Sequence, residues 1–123
     1  LIDYGHARSS IGDTLQAVRA HGFEEVLASP GMADLTTQVD FEMLARQLTA
    51  AGLAVQRVVS QGEFLAALGI SARASRLMAA NPAEANSIEM GVARLMSPSG
   101  MGTRFKVICA RSPHIAALPG LPA

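Results

Sequence analysis

The chain has 123 residues, half of them hydrophobic, and its ten basic and ten acidic side chains cancel to a formal charge of zero. One domain with its own core fits that length, and the composition excludes a disordered tail or a polyelectrolyte. Scattered arginines with few aromatics beside them give no field or stacking surface for a phosphate backbone, so nucleic-acid binding is not expected.

The first stretch, Leu1-Ile2-Asp3-Tyr4-Gly5-His6, reads as the tail of a buried strand opening into a polar turn. Open α/β sheets place ligands at such strand ends. Only two or three apolar residues precede the turn, against about five or six in an ordinary strand. The expectation is therefore the C-terminal piece of a larger protein, cut inside a core strand. Residues 6–13 read as a loop, and Thr14 to His21 fits either a short helix or an extended arm. Ser29-Pro30-Gly31 is a turn signal.

Asp40 has the position of a helix N-cap, with Glu42 favourable at the positive end of the dipole. Phe41, Leu44, Ala45, Leu48 and Ala51 then repeat at helical spacing, and Gly52 ends the helix. Val55, Val58 and Val59 mark a strand. Ser60 and Glu63 form a capping box for a short helix through Phe64, Leu65 and Leu68, closed by Gly69. Ser71 is placed to cap a helix over Ala72 to Ala80, with Leu77 and Met78 facing inward. Asn81-Pro82 starts another helix that runs to about Met96, with Ala85, Ile88, Val92 and Leu95 on one face.

Phe105 to Ala110 is the most convincing strand, and prolines 113, 119 and 122 predict a surface tail over residues 111–123. A helix between strands points to the α/β class. The lone Cys109 lies in the apolar run Val107-Ile108-Cys109-Ala110, so it reads as a small buried hydrophobe in keeping with a reducing compartment. No apolar run approaches the ~18 residues of a membrane-spanning helix, so no membrane span is expected.

Asp3 and Tyr4 can reach a ligand crevice if the strand ends there; equally, Asp3 can serve a strand-terminal turn. Asp34 and Asp40 can stand at the rim of a site, although a capping role for Asp40 is the favoured reading. His6, His21 and His114 lack the close spacing of metal ligands, so no metal site is expected. No G-x-S-x-G elbow, G-x-G-x-x-G or phosphate loop is present.

Several short pieces, in order, nevertheless form a recognisable set. They are Leu1 to His6, Gly12 to Val18, Pro30-Gly31 with Ala33 to Thr36, and Val39-Asp40-Phe41. They continue with Gln61-Gly62, Phe64-Leu65, Leu68-Gly69-Ile70, and Met101-Gly102 with Phe105-Lys106-Val107. This set resembles the C-terminal part of the MidA-like S-adenosylmethionine-dependent methyltransferases, a family that includes the mitochondrial complex I assembly methyltransferase acting on a protein arginine.

The resemblance implies the α/β fold of a class I (Rossmann-like) methyltransferase, here its C-terminal portion. Ile2-Asp3 would end the fifth strand, Val55 to Val59 would be the sixth and Phe105 to Ala110 the antiparallel seventh. Residues 1–110 would then be part of one methyltransferase domain, with residues 61–96 a helical insertion before the last strand. S-adenosylmethionine would be the cofactor, bound mainly by a glycine-rich loop upstream, so none of its binding residues is expected in this chain. Asp3, Tyr4, Asp34 and Asp40 would orient an arginine substrate, since carboxylates pair well with guanidinium.

The implied partner is a protein substrate, and a homodimer is compatible. The implied location is bacterial cytoplasm, mitochondrial in eukaryotic relatives. Where the family usually has a histidine before Val39-Asp40-Phe41 this chain has Gln38, which cannot carry a proton at neutral pH. A non-catalytic interaction module, with residues 61–96 docking a partner, is the rival reading; a glycine-rich loop after an upstream strand of the parent gene would decide against it.

Overall fold

In the computed structural model, which describes residues 1–116 and 118–121, the opening stretch Ile2–His6 is strand β1. It is followed by β2 (Gln16–Arg19), β3 (Gly22–Glu24), β4 (Asp34–Thr36) and β5 (Val39–Asp40). Helix α1 (Phe41–Ala50) leads to β6 (Ala54–Val55) and β7 (Val59–Ser60). Helices α2 (Gln61–Ala67), α3 (Ile70–Ala80) and α4 (Ala85–Met96) precede β8 (Phe105–Val107) and β9 (Ala110–Arg111). A 3-10 turn at Pro82–Glu84 introduces α4. The chain is thus mixed α/β, with the main sheet ordered β5-β1-β8-β7.

In that sheet β5 runs parallel to β1, and β8 runs antiparallel to both β1 and β7. Helix α1 packs on β1 and β5 through Phe41, whose side chain is fully buried. Its start follows from Asp40, whose Oδ1 accepts from the backbone N–H of Met43 at 2.9 Å. The register Gly5↔Val39 brings two backbones together where no side chain intervenes. A Cβ on Gly5 would collide with the Val39 carbonyl oxygen and lie 2.6 Å from the Phe41 ring.

The strands predicted over Val55 to Val59 and Phe105 to Ala110 are each split in two. Val55 pairs with Ala110 and Val59 with Val107. Three residues, Gln56 to Val58, therefore oppose two, Ile108 and Cys109, which is a β-bulge. On the other side of β8, Ile108 exchanges backbone hydrogen bonds with Leu1. The bulge buries the Gln56 side chain, which donates to the Leu121 carbonyl at 3.2 Å and accepts from the Leu118 N–H. The proline-rich end therefore packs back onto the sheet as far as it is described; Ala117, Pro122 and Ala123 of the predicted tail lie outside the described residues.

The ambiguous segment from Thr14 to His21 is extended. β2 is the centre of a separate three-stranded antiparallel sheet, β3-β2-β4. Arg19 pairs with Gly22 across a two-residue turn in which Ala20 and His21 have φ of 49° and 66°. This geometry matches the twist of a hairpin but is normally built from Asn-Gly, so the sequence gives no warning of it. Replacing Ala20-His21 by Asn-Gly is expected to stabilise the chain by about 1 kcal/mol, read as a raised urea midpoint.

Ser60 closes the predicted capping box: its Oγ accepts from the Glu63 N–H at 3.2 Å, and the Glu63 carboxylate accepts from the Ser60 N–H at 2.8 Å. Donation from the Ser60 N–H, then from Ser60 Oγ at 2.8 Å, holds the Glu63 carboxyl below its ordinary range. Ser60→Ala should cost about 1 kcal/mol, measurable by chemical denaturation.

Helix α3 departs from expectation in two ways. It begins at Ile70, directly after Gly69 in the left-handed region (φ 79°), so Ser71 lies inside the first turn and is not the cap. Leu77 is 43% exposed; Ala74, buried, holds the inward position instead. Helix α4 packs on both α2 and α3, with the predicted Ala85, Ile88, Val92 and Leu95 half-buried. The turn after α4 is tight. The Gly62 N–H donates to the Gly102 carbonyl at 2.9 Å, and a Cβ on Gly102 would overlap the Met96 carbonyl oxygen.

Candidate active site

A cavity of 580 Å³ opens where β1 and β8 face the β3-β2-β4 arm. Tyr4 and Gly5 from the end of β1, with Arg104 and Lys106 from the start of β8, form one side. Gln16, Val18 and Phe23 from the arm, and Thr36, Thr37 and Gln38 from the segment leading into β5, form the other. Thr14 joins the two regions: its Oγ1 shares a 2.8 Å hydrogen bond with Thr37 Oγ1 and accepts from the Gln38 N–H at 3.3 Å. The arm is thereby held over the carboxyl end of β1, the end at which open α/β sheets bind ligands.

Tyr4 is held by an aromatic contact with Phe105, the ring planes inclined at 39°. Tyr4 and Phe105 are cross-strand partners, their ring centroids 4.0 Å apart. Most of the cavity surface is apolar, hydroxyl and amide side chains supply its neutral polar groups, and the only charged lining side chains are Arg104 and Lys106. Lys106 Nζ donates to the Thr103 carbonyl. The Arg104 guanidinium makes no hydrogen bond or ion pair among the described residues; the one ion pair there is Arg46–Glu42 on α1. Such a cavity can bind and orient a polar acceptor, but it carries no acid–base pair.

Of the expected site residues, Tyr4 lines this cavity and Asp3, Asp34 and Asp40 are outside its lining. Asp3 Oδ1 accepts from the Tyr4 N–H at 2.8 Å, a local bond within β1 and not in a strand-terminal turn. Asp40 caps α1 and also accepts from Ser9 Oγ at 3.0 Å, while the Ser9 N–H donates to Glu42 at 2.8 Å. Asp34 pairs with Val18 on the exposed arm, two residues from Thr36 and so on the same face of β4.

Sequence reasoning singled out Gln38 without knowing it faced a cavity, and missed Arg104 and Lys106. Their alternation with Phe105 at the head of the strongest strand was the available signal.

Backbone N–H donation from Met43, then Ser9 Oγ, holds the Asp40 carboxyl below its ordinary value of 3.8. The Ser9 N–H, then Arg46, does the same for Glu42, ordinarily 4.5. Carboxyls lowered on folding add stability that is present above those ordinary values and lost as pH falls through the folded ones. Acid titration of the folded chain should therefore release the 7–15 loop as pH drops below about 4, and Ser9→Ala should weaken that dependence; both are readable by amide NMR.

A second cavity of 500 Å³ is lined by apolar groups including Leu1, Phe64, Val107 and Leu121, together with the half-buried free thiol of Cys109. Among the described residues no cluster of His, Cys, Asp or Glu could hold a metal ion, and no helix is long and apolar enough to cross a membrane.

Residues 1–59 match the family described as "Putative S-adenosyl-L-methionine-dependent methyltransferase". The mitochondrial protein arginine methyltransferase NDUFAF7 of Rattus norvegicus is 37% identical over 93% of this chain and 26% of its own length. The Drosophila melanogaster homologue is 36% identical over the whole chain and 27% of its own length. The chain thus spans about a quarter of the length of the curated relatives it matches.

Two Burkholderia thailandensis crystal structures superpose on 97% of the chain at 25% identity. The first, a native structure, has a TM-score of 0.82 and is covered over 33% of its chain. The second, bound to S-adenosyl-homocysteine, has a TM-score of 0.80 and is covered over 32%. By these matches the chain is similar to part of the S-adenosylmethionine-dependent methyltransferases of this family.

Proposed function

We propose that the chain forms the acceptor side of an S-adenosylmethionine-dependent protein methyltransferase, acting on an arginine as the names of its curated relatives suggest. The observation that carries this is the cavity at the carboxyl end of β1, in a chain that superposes on a protein holding S-adenosyl-homocysteine. The order β1-β8-β7, with β8 antiparallel to both neighbours, supports reading these strands as the fifth, seventh and sixth of a class I sheet. Residues 61–96 are then a helical elaboration before the last strand. A bacterial cytoplasmic location, and the same domain extending through residue 110, belong to this reading.

The residues lining the cavity do not fit the cofactor. Its sulfonium is a cation and its ribose hydroxyls are commonly held by a carboxylate, whereas Arg104 and Lys106 are the ionised groups here and no carboxylate lines the cavity. The chain's own contribution is alignment and exclusion of water around the acceptor. Tyr4 supplies the wall, and Gln16, Gln38 and the threonines supply hydrogen bonds to the substrate backbone. Asp34, whose carboxylate has no hydrogen-bond or ion-pair partner among the described residues, orients the guanidinium from beside the cavity.

The test is a chimera in which this chain replaces the matching segment of the Burkholderia thailandensis protein bound to S-adenosyl-homocysteine. Methyl transfer from labelled S-adenosylmethionine to a polypeptide arginine is expected, reduced about tenfold by Asp34→Asn, the scale of one lost charge-assisted hydrogen bond. A folded chimera that binds S-adenosyl-homocysteine and transfers nothing would contradict the proposal.

A further inference from the structure

Resting on the acceptor-side reading above, we propose that the Arg104–Lys106 end of the cavity binds a carboxylate side chain of the substrate polypeptide, a glutamate or aspartate close to the methylated residue. Two cations line one end of a 580 Å³ cavity that has no carboxylate in its lining. Arg104 is exposed and has no hydrogen-bond or ion-pair partner among the described residues. Lys106 gives one N–H to the Thr103 carbonyl, which leaves two of its three donors for a ligand. Asp3 is the cross-strand neighbour of Lys106, but it stands in no ion pair with it, and its Oδ1 accepts from the Tyr4 N–H. Neither cation stands in an ion pair among the described residues.

The neighbouring groups point the same way. Tyr4, Gln16 and Gln38 can each donate to an oxyanion. A guanidinium or sulfonium seated between Arg104 and Lys106 would meet like charge, so the methylated arginine itself belongs elsewhere, toward Asp34. A carboxylate needs one neutralising cation and a few neutral donors, which matches a free arginine beside a lysine partly committed to a carbonyl. A phosphate dianion would call for convergent, fully available cations. Acidic residues beside the target would also steer the substrate into the cavity and set its register.

The experiment is an amide NMR titration of the isotopically labelled full chain with four short arginine peptides that differ at one neighbouring position: glutamate, glutamine, lysine or phosphoserine. The glutamate peptide is expected to shift Tyr4, Gln38 and Lys106 and to bind roughly two- to fivefold more tightly than the glutamine peptide, the range of one exposed ion pair, with the difference shrinking in high salt. Arg104→Glu, an exposed change checked by its amide spectrum, should reverse the preference in favour of a lysine peptide; Lys106→Gln should halve it or more.

Equal affinity for the glutamate and glutamine peptides, or an unchanged preference in folded Arg104→Glu, would overturn the proposal. Phosphoserine binding tenfold above glutamate would overturn it too, assigning the cations to phosphate. The titration needs neither cofactor nor turnover. Absent methyl transfer with an intact glutamate preference would therefore count against the catalytic reading alone.

Discussion

Phe41→Ala is expected to lower the unfolding free energy by about 3–5 kcal/mol, against a total of about 5–15 kcal/mol for a typical domain. Phe41 is the largest fully buried side chain among the described residues, and it joins α1 to β1 and β5 beneath the cavity. Truncation removes its transfer free energy and leaves a void between a helix and a two-residue strand, which has little packing of its own with which to collapse. Urea unfolding followed by circular dichroism measures the loss. A change under 1 kcal/mol would show that the β1–β5–α1 corner is not where the chain's stability resides.

Gly5→Ala is expected to act on stability and on the cavity together. Its new methyl group would collide with the Val39 carbonyl oxygen and press within 2.6 Å of the Phe41 ring. The ring is a side chain and can turn; the carbonyl belongs to the β1–β5 pairing, Gly5↔Val39 and His6↔Asp40, and cannot move without breaking it. Overpacking of this kind costs typically about 1–3 kcal/mol. Because Gly5 and Gln38 both line the cavity, displacement of β5 should also reshape it. The double variant with Phe41→Leu should recover only part of the stability, since the smaller side chain relieves the ring contact and leaves the carbonyl clash. Full recovery would assign the tightness to the ring alone.

The legible parts of the molecule were those written in local chemistry. Asp40 before Phe41, Ser60 with Glu63, and the 3.6-residue spacing through α1 and α4 each specify an element from within a few residues. The β-bulge at Gln56 was not legible, because it is set by a distant partner strand and by the return of Leu118 and Leu121. The Ala20-His21 turn was hidden for a different reason: both residues adopt positive φ without the glycine or asparagine that announces it. Ser71 was misread as a cap because the helix takes its start from the left-handed Gly69, a backbone device with no side-chain signature.

The candidate site shows the same division. Tyr4 was found from its place at a strand end, whereas Arg104 and Lys106 join it only through the antiparallel pairing of β1 with β8, across a sequence separation of about a hundred residues. Carboxylates drew attention as guanidinium partners, yet those of Asp3 and Asp40 are engaged by neighbouring backbone N–H groups. Sequence pattern identifies which residues can do chemistry; the sheet decides which of them share a cavity.

The central claim, that this segment holds the acceptor rather than the cofactor, is tested most directly by steady-state kinetics of Tyr4→Ala in the chimera with the Burkholderia thailandensis protein. Tyr4 lines the cavity and stacks on Phe105. Losing it should raise KM for the polypeptide acceptor about tenfold, the worth of a stacked aromatic contact of roughly 1–1.5 kcal/mol, and leave the affinity for S-adenosylmethionine unchanged. Weakened S-adenosylmethionine binding with an unaltered acceptor KM would contradict the account.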